Sequence, residues 1–291
     1  MRFLMQNKKL MPYIMVAPVF IFVATIMFFG ITNCVLQSLG YFPRIGMTDI
    51  TFEHYTDIIS DTSFISSFWL SLKTSFVSAM LSVLIGIIVA YIMTFSKYTR
   101  IRKSIVGIPV AVPHIIAVVL MIFVFSKTGI ISRLMYSVGV IEDSADFYNI
   151  LFGENGLGII IVYMWKGVPY VMMTVYGILK SVSEKYENAA MNLGANRLQV
   201  FRYIVMPQAM PFVVSSFIIL FSFSFGAYEV PMLIGPSTPQ ALPVYAYVNY
   251  ISADFSKRSV AMAANMIISI IGFVMLYIYS RVFEKIDRGD I

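Results

Sequence analysis

Charged residues are scarce in this sequence: Asp, Glu, Lys and Arg make up 12% of the chain, whereas hydrophobic residues make up 59%. An ordinary soluble domain carries about 25% charged residues. This deficit and the mean hydropathy of +0.81 exclude a soluble globular protein and predict an integral membrane protein. The net charge of +6 is then explained by basic loops that orient the chain, so we expect no binding of nucleic acid.

Cysteine and catalytic motifs are also nearly absent. Cys34 is the one cysteine, which excludes an intramolecular disulfide and a cysteine metal cluster. The sequence contains no G-x-x-x-x-G-K-[ST] phosphate loop, no H-E-x-x-H zinc motif and no nucleophile elbow. We therefore expect that the chain is not an enzyme, hydrolyses no ATP by itself, and binds no metal or cofactor.

Long apolar runs dominate what is present. Each contains about 20 or more residues, enough to cross a hydrocarbon core of about 30 Å. The runs are predicted at residues 12–37, 67–95, 104–126, 157–180, 209–233 and 259–282. The first follows a basic N-terminus without a small-residue cleavage site, so we interpret it as an anchor and not as a signal peptide. The sequence predicts an all-α, single-domain bundle of six transmembrane helices.

Basic residues indicate the orientation of this bundle. Fourteen of the 21 Lys and Arg residues lie in segments that the six spans place on one side. These segments are residues 1–9, 97–103, 180–202 and 281–288. By the positive-inside rule this side is the cytoplasm, which therefore also holds both termini. The opposite side has two long loops, at residues 38–66 and 127–156, with room for short helices.

A polar stretch between spans four and five, Tyr186 to Pro211, has the pattern of two short helices. Tyr186, Ala189, Ala190 and Leu193 repeat at helical spacing and form one apolar face. Gly194 is expected to end the first helix. Asn196 and Gln199 are spaced as a capping box for the second helix, and Pro207 is expected to close it.

Periodicity alone leaves two interpretations of this amphipathic hairpin. It can dock a cytoplasmic partner, with Arg197 and Arg202 on its second helix, or it can lie on lipid headgroups.

The same stretch resembles the Glu-Ala-Ala loop of binding-protein-dependent ABC transporter permeases, the membrane subunits of type I importers. Ala189, Ala190, Gly194, Ile204 and Pro207 match that pattern in spacing. The sequence departs from it in two places. Asn188 stands where the family has glutamate, with Glu187 one residue earlier, and Met206 replaces a leucine. Glu187 lies about 100° away around the helix, so it does not simply substitute for the family glutamate.

The resemblance implies a multi-pass permease of the bacterial inner membrane that works by alternating access. It divides the chain into an N-terminal anchor and external loop (1–66), a permease core (67–282) and a cytoplasmic tail (283–291). Within the core, residues 184–207 form the coupling segment, which would dock an ATPase. The implied partners are two cytoplasmic ATPase subunits that use ATP, a second permease subunit forming a heterodimer, an extracytoplasmic binding protein, and membrane lipid.

The run from Phe225 to Tyr247 is similar to that of the spermidine/putrescine-type permeases, which implies a polyamine substrate. Related permeases for iron, thiamine, phosphonate or sugar share much of this pattern and remain alternatives. The candidate pathway residues are Phe225, Tyr228, Glu229, Lys166 and Tyr245.

Each of these candidates also has a structural interpretation. Glu229 can serve as a structural acceptor at the external interface, and the aromatic residues can serve as packing. An ion channel or proton-coupled carrier is a further alternative, in which His114, Lys166 and Glu229 would form a relay. His114 by itself is more typical of a buried core histidine.

Overall fold

The computed structural model describes residues 11–95 and 100–287. Within these residues the regular structure is helical, apart from one isolated bridge between Phe42 and Met47. The predicted all-α fold is confirmed. The helices are α1 (Met11–Ser38), α2 (Glu53–Ser60), α3 (Thr62–Phe95), α4 (Arg100–Ala111), α5 (His114–Phe125), α6 (Ile130–Ser137), α7 (Leu157–Asn192), α8 (Arg197–Val200), α9 (Met206–Gly226), α10 (Glu229–Ile234), α11 (Leu242–Tyr250) and α12 (Lys257–Asp287).

Six helical segments in the described part of the chain are long and apolar enough to cross a membrane, which confirms the predicted number. Their bounds are Met11–Ser38, Thr62–Thr94, His114–Ser137, Leu157–Asn192, Arg197–Gly226 and Lys257–Val282. The basic residues Arg2, Lys8, Lys9, Lys97 and Arg288, which we used for orientation, lie outside the described residues.

The chain divides into two compact units. The first contains residues 1–60 and 246–267, and the second contains residues 61–245 and 268–291. The first boundary lies close to the predicted boundary after residue 66, but the sequence did not indicate that residues 246–267 group with the N-terminal segment.

In the first unit, α1 is mostly exposed along its length, and contacts cluster at its end. The thiol of Cys34 lies 3.7 Å from the carbonyl oxygen of Met262, and Tyr55 donates a hydrogen bond to Ser38. The guanidinium of Arg258 stacks on three aromatic rings, those of Phe42, Tyr250 and Phe255. Cys34 is thus a half-buried packing residue, in agreement with its position in an apolar run.

In the second unit, α7 packs against α3, α4 and α9. The face of α3 toward this packing carries small residues, among them Ser71, Ser75 and Ala79, which are buried. At Gly86 the two helices approach so closely that a Cβ atom would lie 2.6 Å from the Cβ of Val171. Small side chains let helix backbones approach, and this close packing gives α7 a fixed position.

The third predicted span, residues 104–126, is wrong as one continuous helix. It consists of α4 and α5, which are interrupted at Val112 and Pro113. Proline has no amide hydrogen and disfavours helical geometry at the preceding residue, so the chain breaks there. The carbonyl of Val112 accepts a hydrogen bond from the ammonium group of Lys166 on α7. That bond satisfies a backbone acceptor at the break.

The fifth predicted span also differs, because α9 ends at Gly226 and a separate short helix, α10, begins at Glu229. Residues 217–225 of α9 carry a stacked row of phenylalanine rings. The ring centroids of Phe217 and Phe221 lie 6.2 Å apart, and those of Phe221 and Phe225 lie 5.8 Å apart. Phe68 of α3 meets the end of this row edge-on. Phe225 is only 2% exposed and is therefore a packing residue in this structure.

The interpretation of residues 186–211 as two short helices is corrected in two respects. The first helix is the end of the long helix α7, and Pro207 does not close the second one. Instead, α8 continues through a π-helical turn, Phe201–Val205, into α9, with Pro207 in its first turn. In this turn the amide of Met206 donates to the carbonyl of Phe201, five residues back. The wider turn accommodates the proline ring, which a regular helix would bring against the carbonyl four residues earlier.

Candidate functional site

The turn of the coupling segment has the geometry that the sequence predicts. Gly194 follows α7 with φ of +91°, a left-handed conformation that glycine adopts at low cost. Asn196 and Gln199 form the predicted capping box, with reciprocal bonds of 2.9 and 2.8 Å. Together they form the turn between α7 and α8 and cap the start of α8.

One face of the coupling segment is buried in the helix bundle. Ala190, Val200 and Val205 are buried in the cluster formed with α3, α7 and α9, and Ile204 packs against it. The predicted apolar face is thus only partly buried, because Ala189 is exposed while Ala190 is not. Local periodicity shows which residues share a helix face, but the packing of α7 decides which part of that face is covered.

The coupling segment also exposes several large apolar side chains among its polar ones. Leu193 is 90% exposed, Tyr203 is 70% exposed and Leu198 is 65% exposed. Asn188 and Pro207 are exposed as well. Isolated exposed apolar side chains are common, but a group of this kind marks a contact surface for a partner or a membrane. We call Leu193, Leu198 and Tyr203 the coupling patch.

Glu187 is not one of these exposed residues. Its carboxylate lies 3.4 Å from Nε of Arg197 and accepts a hydrogen bond of 2.6 Å from the Ser183 hydroxyl. Its side chain is 21% exposed, whereas that of Arg197 is 60% exposed. The carboxylate therefore ties α8 to α7 within the chain, and the position of the family glutamate is occupied by the exposed amide of Asn188.

A cavity of about 250 Å³ lies beside α7 in the second unit. Its walls come from α3, α4, α5, α7 and α9, and we call it the α7 cavity. It is lined by Ser78, Ala79, Ser82, Val110, His114, Tyr163, Lys166, Gly167, Tyr170, Ile219, Leu220, Phe223 and Ser224. Two residues that the sequence analysis named as functional candidates, Lys166 and His114, thus line this cavity.

The polar groups of this cavity differ in how they are satisfied. The ammonium of Lys166 donates to the carbonyl of Val112. The half-buried imidazole of His114 packs against the ring of Phe223, with centroids 5.0 Å apart. Tyr163 is 6% exposed, and its buried hydroxyl has no hydrogen-bond partner in the described part of the chain.

The sequence analysis missed Tyr163, although a signal was present. Tyr163, Lys166, Gly167 and Tyr170 are spaced at i, i+3, i+4 and i+7, so they share one face of α7. A lysine with two tyrosines on one face of an apolar span indicates a polar lining. Of the residues on this face, the sequence analysis named Lys166 alone as a pathway candidate.

The other predicted pathway residues lie around the end of α9. Tyr228 precedes α10, and Glu229 is its exposed first residue. The carboxylate of Glu229 forms no side-chain hydrogen bond or salt bridge with another described residue. It does not line the α7 cavity, which His114 and Lys166 do.

Tyr245 lies elsewhere, on α11, where it contacts residues at the start of α3. Its hydroxyl donates a hydrogen bond of 2.8 Å to Asp61, and its ring meets Phe64 edge-on. Burial acts to raise the pKa of the Asp61 carboxyl, but hydrogen bonds from Tyr245, Ser63 and Phe64 hold that pKa below its usual range. Tyr245 also lines a hydroxyl-rich pocket of about 230 Å³ with Ser63, Ser66, Ser67, Ser237, Thr238, Pro239 and Gln240.

No group of three or more His, Cys, Asp or Glu residues is placed to hold a metal ion within residues 11–95 and 100–287.

A comparison with known protein families identifies the family of this chain. The sequence profile of the family described as "Binding-protein-dependent transport system inner membrane component" matches residues 82–286. The chain belongs to this family. It is therefore a multi-pass permease of the bacterial inner membrane, of the type I importer class, as its coupling segment indicated.

Curated relatives of this permease carry several substrate names. It is 20% identical over 244 residues to the sulfate transport system permease protein CysT of Salmonella typhimurium, covering 83% of this chain and 84% of the relative. It is 21% identical over 277 residues to the spermidine/putrescine permease PotB of Haemophilus influenzae, covering 92% and 93%. It is 27% identical to the ferric permease FbpB of Actinobacillus pleuropneumoniae, and this match covers 74% of this chain but only 33% of the relative.

Solved structures show the same fold. The permease superposes with a TM-score of 0.77 on a chain of a bacterial alginate ABC transporter in complex with an alginate-bound periplasmic protein, at 18% identity and 98% coverage of both chains. It matches a chain of the MetNI methionine ABC transporter with a TM-score of 0.54 at 19% identity, covering 75% and 93%. At these identities the likeness concerns the fold and not the substrate.

Proposed function

We propose that this permease forms one half of the substrate pathway of an ABC importer for a small charged solute. The observation that carries the proposal is the coupling patch beside the turn after α7, the helix that also lines the α7 cavity. One helix thus connects a docking surface with a polar cavity. Motion imposed at the patch is transmitted along α7 to the cavity wall, which is what alternating access requires.

The partners of this importer follow from the same proposal. Two separate ATPase subunits hydrolyse ATP, and one of them docks on the coupling segment. A second, related permease subunit completes the pathway, and an extracytoplasmic binding protein delivers the solute. Membership in a binding-protein-dependent family and the likeness to an alginate transporter bound to a periplasmic protein support this assembly.

The first substrate candidate is a polyamine such as spermidine or putrescine. The likeness to PotB extends over nearly the whole chain. Glu229 supplies an exposed carboxylate that is free of salt bridges among the described residues, next to Tyr228. A free carboxylate with neighbouring aromatic rings is suited to an organic cation.

The second candidate is an anion, and a different observation favours it. The α7 cavity contains the ammonium of Lys166 and no carboxylate among its described lining residues. Relatives of the permease include proteins named for sulfate and molybdenum transport.

Uptake by the reconstituted transporter distinguishes these candidates. The permease, its partner permease, the ATPase and the binding protein are assembled in proteoliposomes, and ATP-dependent uptake of spermidine, putrescine, sulfate, molybdate, an alkylphosphonate and ferric iron is measured. Glu229→Gln should reduce polyamine uptake, because it removes the only charge proposed to attract the cation. The same variant should leave anion uptake intact, whereas Lys166→Gln should reduce it.

The same vesicles test the channel and carrier alternative. Flux that proceeds without ATP or without the ATPase would contradict the importer proposal. Uptake that requires both, in the absence of an ion gradient, supports it.

A further inference from the structure

We propose that Arg258 binds the phosphate group of a phospholipid in the extracytoplasmic leaflet of the membrane. Arg258 is the second residue of α12, and the contacts that carry this proposal all lie within the first compact unit. The ligand is a membrane lipid and not the transported solute, so the site goes beyond the proposed function.

The guanidinium of Arg258 is held against three aromatic rings. Its central carbon lies 5.7 Å from the ring centroid of Phe42, 5.1 Å from that of Tyr250 and 4.7 Å from that of Phe255. Each ring attracts the cation, and the three together restrict its orientation. A guanidinium that is already oriented loses little conformational freedom when it binds a ligand.

No anionic group of the described chain pairs with this cation. Arg258 forms no salt bridge and donates no hydrogen bond within residues 11–95 and 100–287. The nearest carboxylate in the sequence, that of Asp254, accepts hydrogen bonds of 3.0 and 2.7 Å from the amide and hydroxyl of Ser256. The charge of the exposed Lys257 also acts on Asp254. Arg258 is thus left as a cation without an anionic partner in this part of the chain.

The terminal nitrogens of the guanidinium are the groups that a ligand can reach. Nε of Arg258 is buried and unpaired among the described residues, so it is closed to a ligand. Nη1 and Nη2 also lack a partner there, but they are not among the buried unpaired atoms. They therefore remain accessible. Two guanidinium nitrogens match two oxygens of a phosphate group in spacing, and such charge-assisted pairs are stronger than neutral hydrogen bonds.

The position of Arg258 in α12 favours a lipid as the source of this phosphate. The candidate membrane span Lys257–Val282 leads to the C-terminus, which the orientation of the bundle places in the cytoplasm. Arg258 therefore lies at the extracytoplasmic end of the span, at the depth of the lipid headgroups. Arginine side chains near the ends of spans extend toward this interface, where phospholipids present their phosphates.

The surroundings of Arg258 fit a phospholipid better than a free phosphate ion. Tyr250 and Phe255, two of the rings that contact the guanidinium, are exposed, and so is Ile251. Aromatic residues concentrate at the membrane interface, where one end of the side chain is apolar and the other is wet. A free phosphate ion leaves this apolar surface against water, whereas a phospholipid covers it with its acyl chains.

Titration of the purified transporter complex with a phospholipid tests the proposal. The complex of both permeases and the ATPase is stripped of lipid in detergent, phosphatidylglycerol is added, and the bound lipid is counted by native mass spectrometry. Arg258→Gln should raise about tenfold or more the lipid concentration that fills one site per copy of this permease, because a hydrogen-bonded charge pair is lost. Arg258→Lys should raise it less, since lysine keeps the charge but not the fork of donors.

Arg133 provides the matched control for the variant. It is an exposed arginine without a ring contact in the described chain, and its Nε already donates to the carbonyl of Thr128. Arg133→Gln should leave lipid binding within about twofold. An equal loss in Arg133→Gln and Arg258→Gln would overturn the proposal, because it would show attraction to positive charge in general.

Two competitors test which part of the lipid is recognised. Dioleoylglycerol has acyl chains without a phosphate, and inorganic phosphate has no acyl chains. Neither should displace phosphatidylglycerol from this site at equal concentration. Displacement by dioleoylglycerol would show that the phosphate is not recognised, and displacement by inorganic phosphate would show a site for a free anion. Either result would contradict the assignment to a phospholipid.

Thermal unfolding distinguishes lipid binding from a purely structural role of the stacked arginine. A ligand that binds only the folded protein raises the midpoint of unfolding. Phosphatidylglycerol should therefore raise the midpoint of the unmodified complex more than that of the Arg258→Gln complex. If the substitution lowered the midpoint equally with and without lipid, Arg258 would only hold the rings together, and the proposal would be wrong. It would also be wrong if Arg258→Gln left lipid binding intact but released the second permease or the binding protein, since Arg258 would then pair with a protein carboxylate.

Discussion

The carboxylate of Glu187 lies 3.4 Å from Nε of Arg197, across the turn that separates α7 from α8. The same carboxylate accepts a hydrogen bond from Ser183, one helical turn earlier. Glu187 is thereby held in one position and in turn holds Arg197. The pair thus links α8 to α7 across the turn that lies beside the coupling patch.

Arg197→Ala should uncouple the transporter more than it destabilises it. An ion pair with one half-exposed member contributes at most about 1 kcal/mol to stability, so the permease should still fold. The ratio of solute imported to ATP hydrolysed should fall about two- to fivefold, the factor that such an energy represents. Uptake and ATP hydrolysis measured in the same proteoliposomes give this ratio.

Lys180 and Glu184 provide the matched control for this pair. Their exposed side chains form a 3.7 Å salt bridge within α7 that does not reach α8. Lys180→Ala should therefore leave the coupling ratio unchanged. If Lys180→Ala lowered the coupling ratio as much as Arg197→Ala, the ratio would depend on the total charge near the end of α7. The Glu187–Arg197 pair would then have no special role.

Gly194→Val should uncouple transport and weaken association with the ATPase. A Cβ at this position would meet no atom within 4 Å, so the effect arises from the backbone. The left-handed conformation costs a residue with a side chain about 1–2 kcal/mol, and more for a β-branched one. Co-purification of the ATPase and ATP-dependent uptake measure the loss.

Gly177 and an asparagine variant complete that experiment. Gly177 lies within α7, and a Cβ there also meets no atom within 4 Å, but its φ is not positive. Gly177→Val should therefore retain activity. Gly194→Asn should be more active than Gly194→Val, because asparagine tolerates the left-handed conformation. A Gly194→Val permease with normal assembly and uptake would refute the argument.

Docking of the ATPase should depend on the coupling patch more than on the position of the family glutamate. Leu193→Asn should reduce co-purification of the ATPase about tenfold, since it removes a nearly fully exposed apolar side chain worth about 1.5–3 kcal/mol when buried. Asn188→Glu should preserve coupling. Leu134→Asn is the control, because it changes an exposed leucine on α6, outside the coupling segment. An Asn188→Glu variant that lost coupling would contradict the prediction.

The comparison of α7 with the third span shows how much the sequence determines. Length, hydropathy and the capping residues Asn196 and Gln199 are local properties, and they correctly predicted six spans and the capping box. The break at Pro113 has a local cause in the proline itself, but the group that satisfies the freed carbonyl of Val112 is the ammonium of Lys166 on another helix. A hydropathy window averages over such a break and cannot detect it.

In the candidate sites, too, local features could be predicted from the sequence, whereas tertiary features could not. The position of Gly194 correctly predicted the turn after α7, but the sequence did not show that α8 runs through a π-turn into α9. The α7 cavity needs helices from four other parts of the chain, so no local pattern could define its walls. The helical spacing of Tyr163 and Lys166 was visible, and it was the one signal for the cavity that sequence reasoning could have used.

Substitutions of two phenylalanines of α9 should distinguish a role in packing from a role in transport. Phe225 is buried at the end of the stacked row, in contact with Phe221 and Phe68, whereas Phe223 is half exposed and lines the α7 cavity. Phe225→Leu should lower the midpoint of thermal unfolding of the purified permease, with a loss of about 1–3 kcal/mol from the missing ring contacts. Phe223→Leu should change uptake with little change in that midpoint. If the two variants instead altered uptake equally at unchanged thermal stability, Phe225 would belong to the pathway, as the sequence first suggested, and the stacked row would not be a purely structural element.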